Sequence, residues 1–554
     1  MKIRWVPVAL AATVSLVHAA ELPSAGSQIK QIPSVQTPPK AAPQFRIEKG
    51  STQVAPSGDS ATIVVNSLRV ANAHAFTEAD LIAATGFKPG GTFSLAQLRA
   101  FTLAIADYYR SRGYFLAQAN LPAQDIVDGA VTISVVEGQY GKVVVRNQST
   151  LNDGVATGLL DGLDAGDTIT IAPLESRLLQ LSDLPGVAIK STLVPGASVG
   201  ASDLVVDIVP GKRWSGSLEA DNSGGRYTGA NRTGGTLNLN NPFGRGDVAT
   251  LRALTSWDGL DYGRASYQMQ IGRADAGVAY TALHYELGDS FASLDAHGTA
   301  RIASIYGRYP LFRSRITNLY AQFNVDAKKF RDRIDAADIV ADKKADVGML
   351  SLVGDHRDQL GGGGVSSYSL TWSAGSLDLQ SADALSTDAA TAQTNGHYDK
   401  FGLSLMRLQR LTDTISLYAA AQGQIASQNL DVSEKIGLGG ASGVRAYPEG
   451  EAYLDEGYIL NVELRFALTR FAQLIPGQLQ AIGFADTGSG RVSKDIWSDG
   501  DNSRTLSGGG VGLNWFDASR YSVKAYYARK LGSTVATSAP DADSRVWVSA
   551  VKYF

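Results

Sequence analysis

Arg445 and Asp486 lie in two short strings near the C-terminus, Val444-Arg445-Ala446-Tyr447-Pro448-Glu449-Gly450-Glu451 and Phe484-Ala485-Asp486-Thr487-Gly488. A guanidinium presents a planar fork of N–H donors that matches both oxygens of one carboxylate. Such a pair breaks no bonds. Its chemistry is to hold one piece of chain against another.

No arrangement for catalysis competes with it. His18, His74, His284, His297, His356 and His397 are scattered, and none has metal-ligand spacing. There is no G-x-S-x-G elbow and no P-loop, and the Gly361–Gly364 run lacks the Lys-Ser/Thr that would follow in one. Asp499-Gly500-Asp501-Asn502 lacks the spaced ligands and terminal glutamate of a calcium loop. The chain has 0 cysteines, so it holds no disulfide framework or thiolate site. No enzyme, metal or cofactor is expected. A net charge of −3 over 554 residues implies no broad basic surface, so nucleic acid is not an expected partner.

The elements that must position the pair are strands. In Gln478–Asp486, Leu479, Ala481, Gly483 and Ala485 share one face, and Gln478, Gln480, Ile482, Phe484 and Asp486 share the other. From Trp214 onward the chain reads as short alternating segments separated by Gly, Asn and Asp. Leu460, Val462, Leu464, Phe466 and Leu468 alternate with Asn461, Glu463, Arg465 and Ala467. About 16 such strands are expected, an even number as bacterial barrels require. Long connectors near Gly288–His297, Arg331–Ala345, Gly375–His397, Ala426–Glu456 and Thr487–Leu506 alternate with short ones near Asn241–Arg245, Ala274–Asp275, Arg410–Thr412 and Asp517–Ala518. That asymmetry suits a membrane barrel with long outer loops, an apolar lipid face and a polar lumen. Asp486 then faces the lumen, and Arg445 reaches it only if its long loop folds inward.

Ahead of the barrel, residues 1–19 read as a signal peptide: Lys2 and Arg4, the apolar run Val6–Val17, then Val17-His18-Ala19. No stretch is long enough for a membrane helix of about 18 apolar residues. Residues 20–58 are Pro-rich and read as a linker, in which only Ser24–Ile32 could form a short plug helix. Two β-α-α-β-β modules follow, 59–138 and 139–211, before a barrel over 212–554. In the first module, strands are expected at Ala61–Val65, Tyr114–Ala119 and Val131–Val136, with helices capped by Thr77 and Ser94. In the second, strands are expected at Lys142–Val145, Val187–Leu193 and Leu204–Ile208, with helices at Leu151–Leu160 and Ala172–Leu181.

The whole pattern resembles the ShlB/FhaC/HecB-type outer-membrane transporters of two-partner secretion, the TpsB family, within the POTRA-bearing barrels that include BamA. Val444-Arg445-Ala446-Tyr447 is similar to the family's Val-Arg-Gly-Tyr/Phe motif at the tip of the sixth extracellular loop, and Phe484, Asp486 and Gly488 to its Phe-x-Asp-x-Gly motif. The resemblance implies that Arg445 contacts Asp486 inside the lumen. Ala446 departs from the usual glycine and restricts the backbone of the loop tip. The resemblance further implies a protein-conducting pore in the outer membrane, with two POTRA modules in the periplasm. Its partner is then a secreted TpsA-type exoprotein bearing an N-terminal secretion domain. The exoprotein would dock by β-augmentation on a POTRA edge at Tyr114, Phe115, Leu116 and Ala117. Tyr553 and Phe554 would form the C-terminal signal read by the barrel assembly machinery, and the transporter would act as a monomer in outer-membrane lipid. Two other readings of the same architecture are an assembly factor like BamA and a solute porin or receptor.

Overall fold

The computed structural model describes residues 22–34, 44–47, 62–471 and 475–554. The expected signal peptide lies outside them. Within the segment read as a linker, Ala25–Lys30 forms a helix, α1, opened by Ser24 and Ser27 in a reciprocal capping box. A short strand, β1 (Gln44–Ile47), comes next.

The first module comprises β2 (Thr62–Val65), β3 (Ser67–Ala71), α2 (Glu78–Thr85), β4 (Gly91–Ser94), α3 (Leu95–Ser111), β5 (Gln118–Asn120) and β6 (Ala130–Val136). Thr77 and Ser94 cap α2 and α3 with side-chain oxygens, Ser94 and Gln97 forming a capping box. The module's sheet runs β3-β6-β5, and β2 pairs with β4 outside it. Leu81, Leu98, Ile105 and Tyr109 pack beneath the sheet on Val131 and Ile133. Buried Glu137 fastens the base by accepting N–H bonds from His74 (2.7 Å) and Ala75 (2.8 Å) and the hydroxyl of Tyr109 (2.7 Å).

The strand expected over Ala61–Val65 forms as β2, although it pairs with β4 while Ser67–Ala71 supplies the first strand of the three-stranded sheet. One expectation fails here. The strand expected over Tyr114–Ala119 begins only at Gln118. Tyr114 and Ala117 pack into the first module's core, while Phe115 and Leu116 pack on the core of the second. These residues therefore form a turn joining the two modules rather than a docking edge. Their apolar character comes from being clamped between two cores.

The second module holds β7 (Gln139–Asn147), α4 (Asp153–Leu160), α5 (Ile171–Asp183), β8 (Val187–Pro195) and β9 (Ala201–Pro210). Its sheet order is β1-β8-β9-β7. Leu174, Leu178 and Leu181 of α5 pack on Ile189, Leu193, Leu204 and Val206.

From Trp214–Asp221 to Ser544–Tyr553, sixteen antiparallel strands close into one barrel. The last strand meets the first only from Ser217↔Tyr553 to Asp221↔Ser549, and Phe554 extends this seam by exchanging backbone hydrogen bonds with Gly216 (3.1 and 3.2 Å). The strand Glu456–Ala467 shows the period: Tyr458, Leu460, Val462, Leu464 and Phe466 are exposed outside, while Ile459, Asn461 and Glu463 are buried inside. An apolar exterior over a polar interior is the inverse of a soluble barrel and matches a lipid solvent.

The connector expected at Arg331–Ala345 is mostly strand. Thr317–Ile334 and Ile339–Asp358 leave only a short tip between them. At 18 and 20 residues they exceed the span of about 9–11 residues a bilayer requires, so charged residues on them stand clear of the lipid. The turn expected at Ala274–Asp275 falls before Ala274, where a strand begins.

The second module docks on the end of the barrel that carries the short turns. Arg313 grips Asp183 with two bonds (2.7 and 2.9 Å), and Arg315 pairs with Glu175 (3.1 Å). Asn152 N–H donates to the Gly244 carbonyl (2.7 Å).

Candidate functional site: a latch and a plug in the lumen

The long loop between the strands Ile415–Ala426 and Glu456–Ala467 folds into the barrel and closes on itself. Ile436–Gly437 pairs with Tyr453–Leu454, and Val444 N–H reaches back to the Leu438 carbonyl (2.8 Å). The fold of this tip needs a glycine at 443, where a Cβ would strike the Leu438 carbonyl oxygen, and another at 440, whose φ is 105°.

This tip presents Arg445 to the wall. Its Nε and Nη2 donate to the two oxygens of Asp486 (2.8 and 2.7 Å), Nη1 donates to Glu463 (2.7 Å), and its backbone N–H reaches Asp486 (3.2 Å). The guanidinium lies over the Phe484 ring (3.6 Å to the centroid) and near that of Tyr526 (4.9 Å). Trp547 Nε1–H donates to the Arg445 carbonyl (2.7 Å). Asn461 supplies a further N–H to Asp486 (2.8 Å), and Arg465 neutralises the far oxygen of Glu463 (2.8 Å). Arg445, Asp486 and Glu463 are 4 %, 3 % and 4 % exposed, so the latch itself is dry, with the partly exposed Arg465 balancing the second carboxylate at its edge.

The other motif residues seat this contact. Val444 packs against Leu438, and a side chain at Gly488 would crowd both. Tyr447 is buried and donates its hydroxyl to the Thr534 carbonyl (3.0 Å). Ala446 keeps a negative φ, so its backbone is unstrained. Its methyl group faces Gly508, where any Cβ would collide with it. The departure from glycine in the loop is thus matched by a glycine in the wall.

Three further anchors went unread in the sequence. Glu451, fully buried, accepts N–H and hydroxyl bonds from Thr537 (2.8 and 2.9 Å) and Ser538 (2.8 and 2.9 Å) and pairs with Arg504 (2.5 Å). It thereby pins the connector 531–543. Glu434 meets Lys328 (2.6 Å) and Lys400 (2.8 Å), and Asp431 meets Lys343 (2.6 Å). Burial pushes the Glu434 carboxyl up, but the two lysines hold it down to about 2. Of the partners missed at Arg445, Asn461, Glu463 and Arg465 had a signal: their alternation already put them on one polar face beside the Asp486 strand.

The helix α1 shares the lumen. Ala25 N–H donates to Asp332 (2.7 Å), which also accepts from Tyr285 (2.8 Å). Gln28 accepts from Thr228 (3.0 Å), and the carbonyls of Gln31 and Pro33 accept from Arg232 (2.9 Å) and Arg252 (2.7 Å). Ile29 and Ile32 pack near Leu254, Tyr262 and Phe330. The helix also leans on the loop: Tyr453 donates to the Ser27 carbonyl (3.2 Å), and Gly26 faces Ser433 closely. With loop and helix in place, a cavity of about 360 Å³ lies between them, lined by Gln31, Gln422, Gln424 and Tyr453.

A closed barrel of this strand number, two α+β modules at its turn end and an arginine loop latched inside define a POTRA-bearing membrane barrel. The family model for haemolysin secretion/activation protein ShlB/FhaC/HecB matches residues 200–515, and that for the ShlB-type POTRA domain matches 63–138. The chain belongs to the ShlB/FhaC/HecB family. It is 29% identical over 473 residues to the heme/hemopexin transporter protein HuxB of Haemophilus influenzae, covering 84% of this chain and 82% of that one. It is 23% identical to the outer membrane transporter CdiB of Dickeya dadantii, covering 76% and 74%. The solved structure of CdiB from Escherichia coli shares the fold, with a TM-score of 0.71 at 21% identity over 91% of this chain and 93% of that one.

Proposed function

We propose that this two-partner secretion transporter passes an unfolded exoprotein through its lumen once α1 has left it, while the Arg445 latch keeps the sixth loop inside as part of the channel wall. The observation that carries this reading is the buried Arg445–Asp486–Glu463 cluster, which fixes the loop to the wall without closing the space α1 occupies. The POTRA modules stand in the periplasm and receive the exoprotein through its N-terminal secretion domain. The transporter acts as a monomer without enzymatic chemistry or a cofactor. Folding of the exoprotein outside the cell supplies direction. Tyr553 and Phe554 serve the barrel assembly machinery during insertion.

The test is co-expression with a large candidate exoprotein that bears an N-terminal secretion domain, with and without this transporter, followed by assay of the medium. Release that depends on the transporter is expected. A general loss of outer-membrane proteins on depletion, with exoprotein release intact, would instead support an assembly factor like BamA.

A further inference from the structure

The outer wall of the barrel carries a row of cations at the edge of its apolar belt. On the strand Thr317–Ile334 the outward side chains Leu319, Ala321, Phe323, Val325 and Ala327 are apolar, and the next three, Lys329, Arg331 and Arg333, are all basic. The apolar run matches the span of about 9–11 residues that a bilayer requires. Lys329 therefore stands where the hydrocarbon ends. Arg313, at the far end of the neighbouring strand, grips the second module, so this edge is the one away from the POTRA modules.

Register puts Arg301 opposite Lys329 on one side and Lys344 opposite it on the other, and all three are exposed. Like charges placed directly opposite destabilise a sheet. One rung further out the wall avoids this, because Arg331 lies opposite Asp342 and pairs with it (2.6 Å). Among the described residues, Arg301, Lys329 and Lys344 have no ion-pair partner. Asp346, one rung nearer the belt, and Asp378, opposite Lys344, form no ion pair with them either. Directly below Arg301 and Lys329, Ala303 and Ala327 face each other and leave a notch in the apolar wall. The notch opens into a groove of about 720 Å³ along the outer surface, lined also by Leu251, Val278, Tyr280 and Ile305. A soluble anion would use only the cations, and a neutral lipid only the groove. A phosphate that carries acyl chains uses both.

We propose that Arg301, Lys329 and Lys344 bind the phosphates of an outer-leaflet glycolipid, with an acyl chain seated in the groove below Ala303 and Ala327. The guanidinium of Arg301 offers a phosphate a planar fork of donors, and the two lysines act as point charges beside it. The long stems of all three lie along the apolar wall while their charged ends stay among the headgroups. The bound phosphates turn a repulsive row into an attractive one. The same pair of strands carries Asp332, which holds α1, and Lys328, which holds Glu434 of the sixth loop. A glycolipid on the outside of this wall therefore steadies the side chains that organise the lumen.

The test titrates the full chain in detergent micelles with diphosphorylated lipid A and counts bound lipid by native mass spectrometry. The Arg301→Gln/Lys329→Gln/Lys344→Gln variant should bind about a hundredfold more weakly than wild type, at about fivefold for each cation removed. Ala303→Leu/Ala327→Leu keeps the charges, fills the notch with side chains that suit a lipid-facing wall, and should weaken binding about tenfold. Inorganic pyrophosphate, which has the charge without the chains, should bind at least about tenfold more weakly than lipid A. Equal lipid A binding by wild type and the charge variant would overturn the proposal. So would unchanged binding by the alanine-to-leucine variant, or pyrophosphate that binds as tightly as lipid A.

Discussion

The sixth loop and α1 share one lumen, yet the wall holds them with different groups. The loop is fixed by full charges: Arg445 on Asp486 and Glu463, Glu451 on Arg504, and Glu434 and Asp431 on three lysines. The helix is held largely through its own backbone: an N–H on Asp332 and two carbonyls on Arg232 and Arg252. Removing one partner from a buried charge pair strands the other, at a cost of about 3–5 kcal/mol. The helix's hydrogen bonds are buried too, but water entering the space it leaves replaces each one, at a net cost of about 1.5–3 kcal/mol for a bond to a charged group and less for a neutral one. A six-residue helix also has no stability of its own and depends on the wall it touches. One element is therefore built to stay and the other to leave.

The comparison breaks most sharply at Arg445. Arg445→Ala leaves Asp486 and Glu463 as buried like charges, so the barrel should lose about 3–5 kcal/mol, read as a lower temperature of the heat-modifiability shift. Glu451→Gln keeps the shape but removes the charge that gathers Arg504, Thr537 and Ser538. A loss of about 1.5–3 kcal/mol is expected, with connector 531–543 becoming sensitive to limited proteolysis.

Glu137 gives a smaller, pH-dependent effect outside the membrane. Burial pushes its carboxyl up, but the Ala75 and His74 N–H groups and the Tyr109 hydroxyl hold it below the usual range. A carboxylate whose pKa is lowered by folding adds stability above its unfolded pKa of about 4.3 and loses it as pH falls through the folded value. Glu137→Gln should therefore melt lower than wild type at neutral pH, by about 1–2 kcal/mol, and converge with it below about pH 4. Asp332→Ala should lower barrel melting by about 1–2 kcal/mol, well short of Arg445→Ala, yet raise the frequency of large-conductance openings in planar bilayers. If its effect on melting matched that of Arg445→Ala, the contrast between a fixed loop and a departing helix would fail.

The strand period made Asp486 legible, because alternation alone set it on the lumen face with Gln480 and Phe484. The caps at Thr77 and Ser94 were legible because each is a local pattern of a few residues. The place of α1 was legible by elimination, since the prolines leave only Ser24–Ile32 free to form a helix, but its seat was not, because what holds it comes from strands hundreds of positions away. The run at Tyr114–Leu116 misled because two cores meeting at a turn select the same apolar residues as a strand does. Nor could the pairing of β1 with β8 be read, since backbone hydrogen bonds leave little mark on side-chain choice. Ala446 looked like a defect until its contact with Gly508 was seen, because the compensating residue lies on another strand.

Secretion by the Arg445→Ala variant, measured as exoprotein in the medium per unit of barrel in the outer membrane, tests the latch most directly. With the barrel inserted, exoprotein in the medium should fall well below wild type. Normal secretion at a normal barrel level would contradict the claim that Arg445 and Asp486 hold the sixth loop in a working channel.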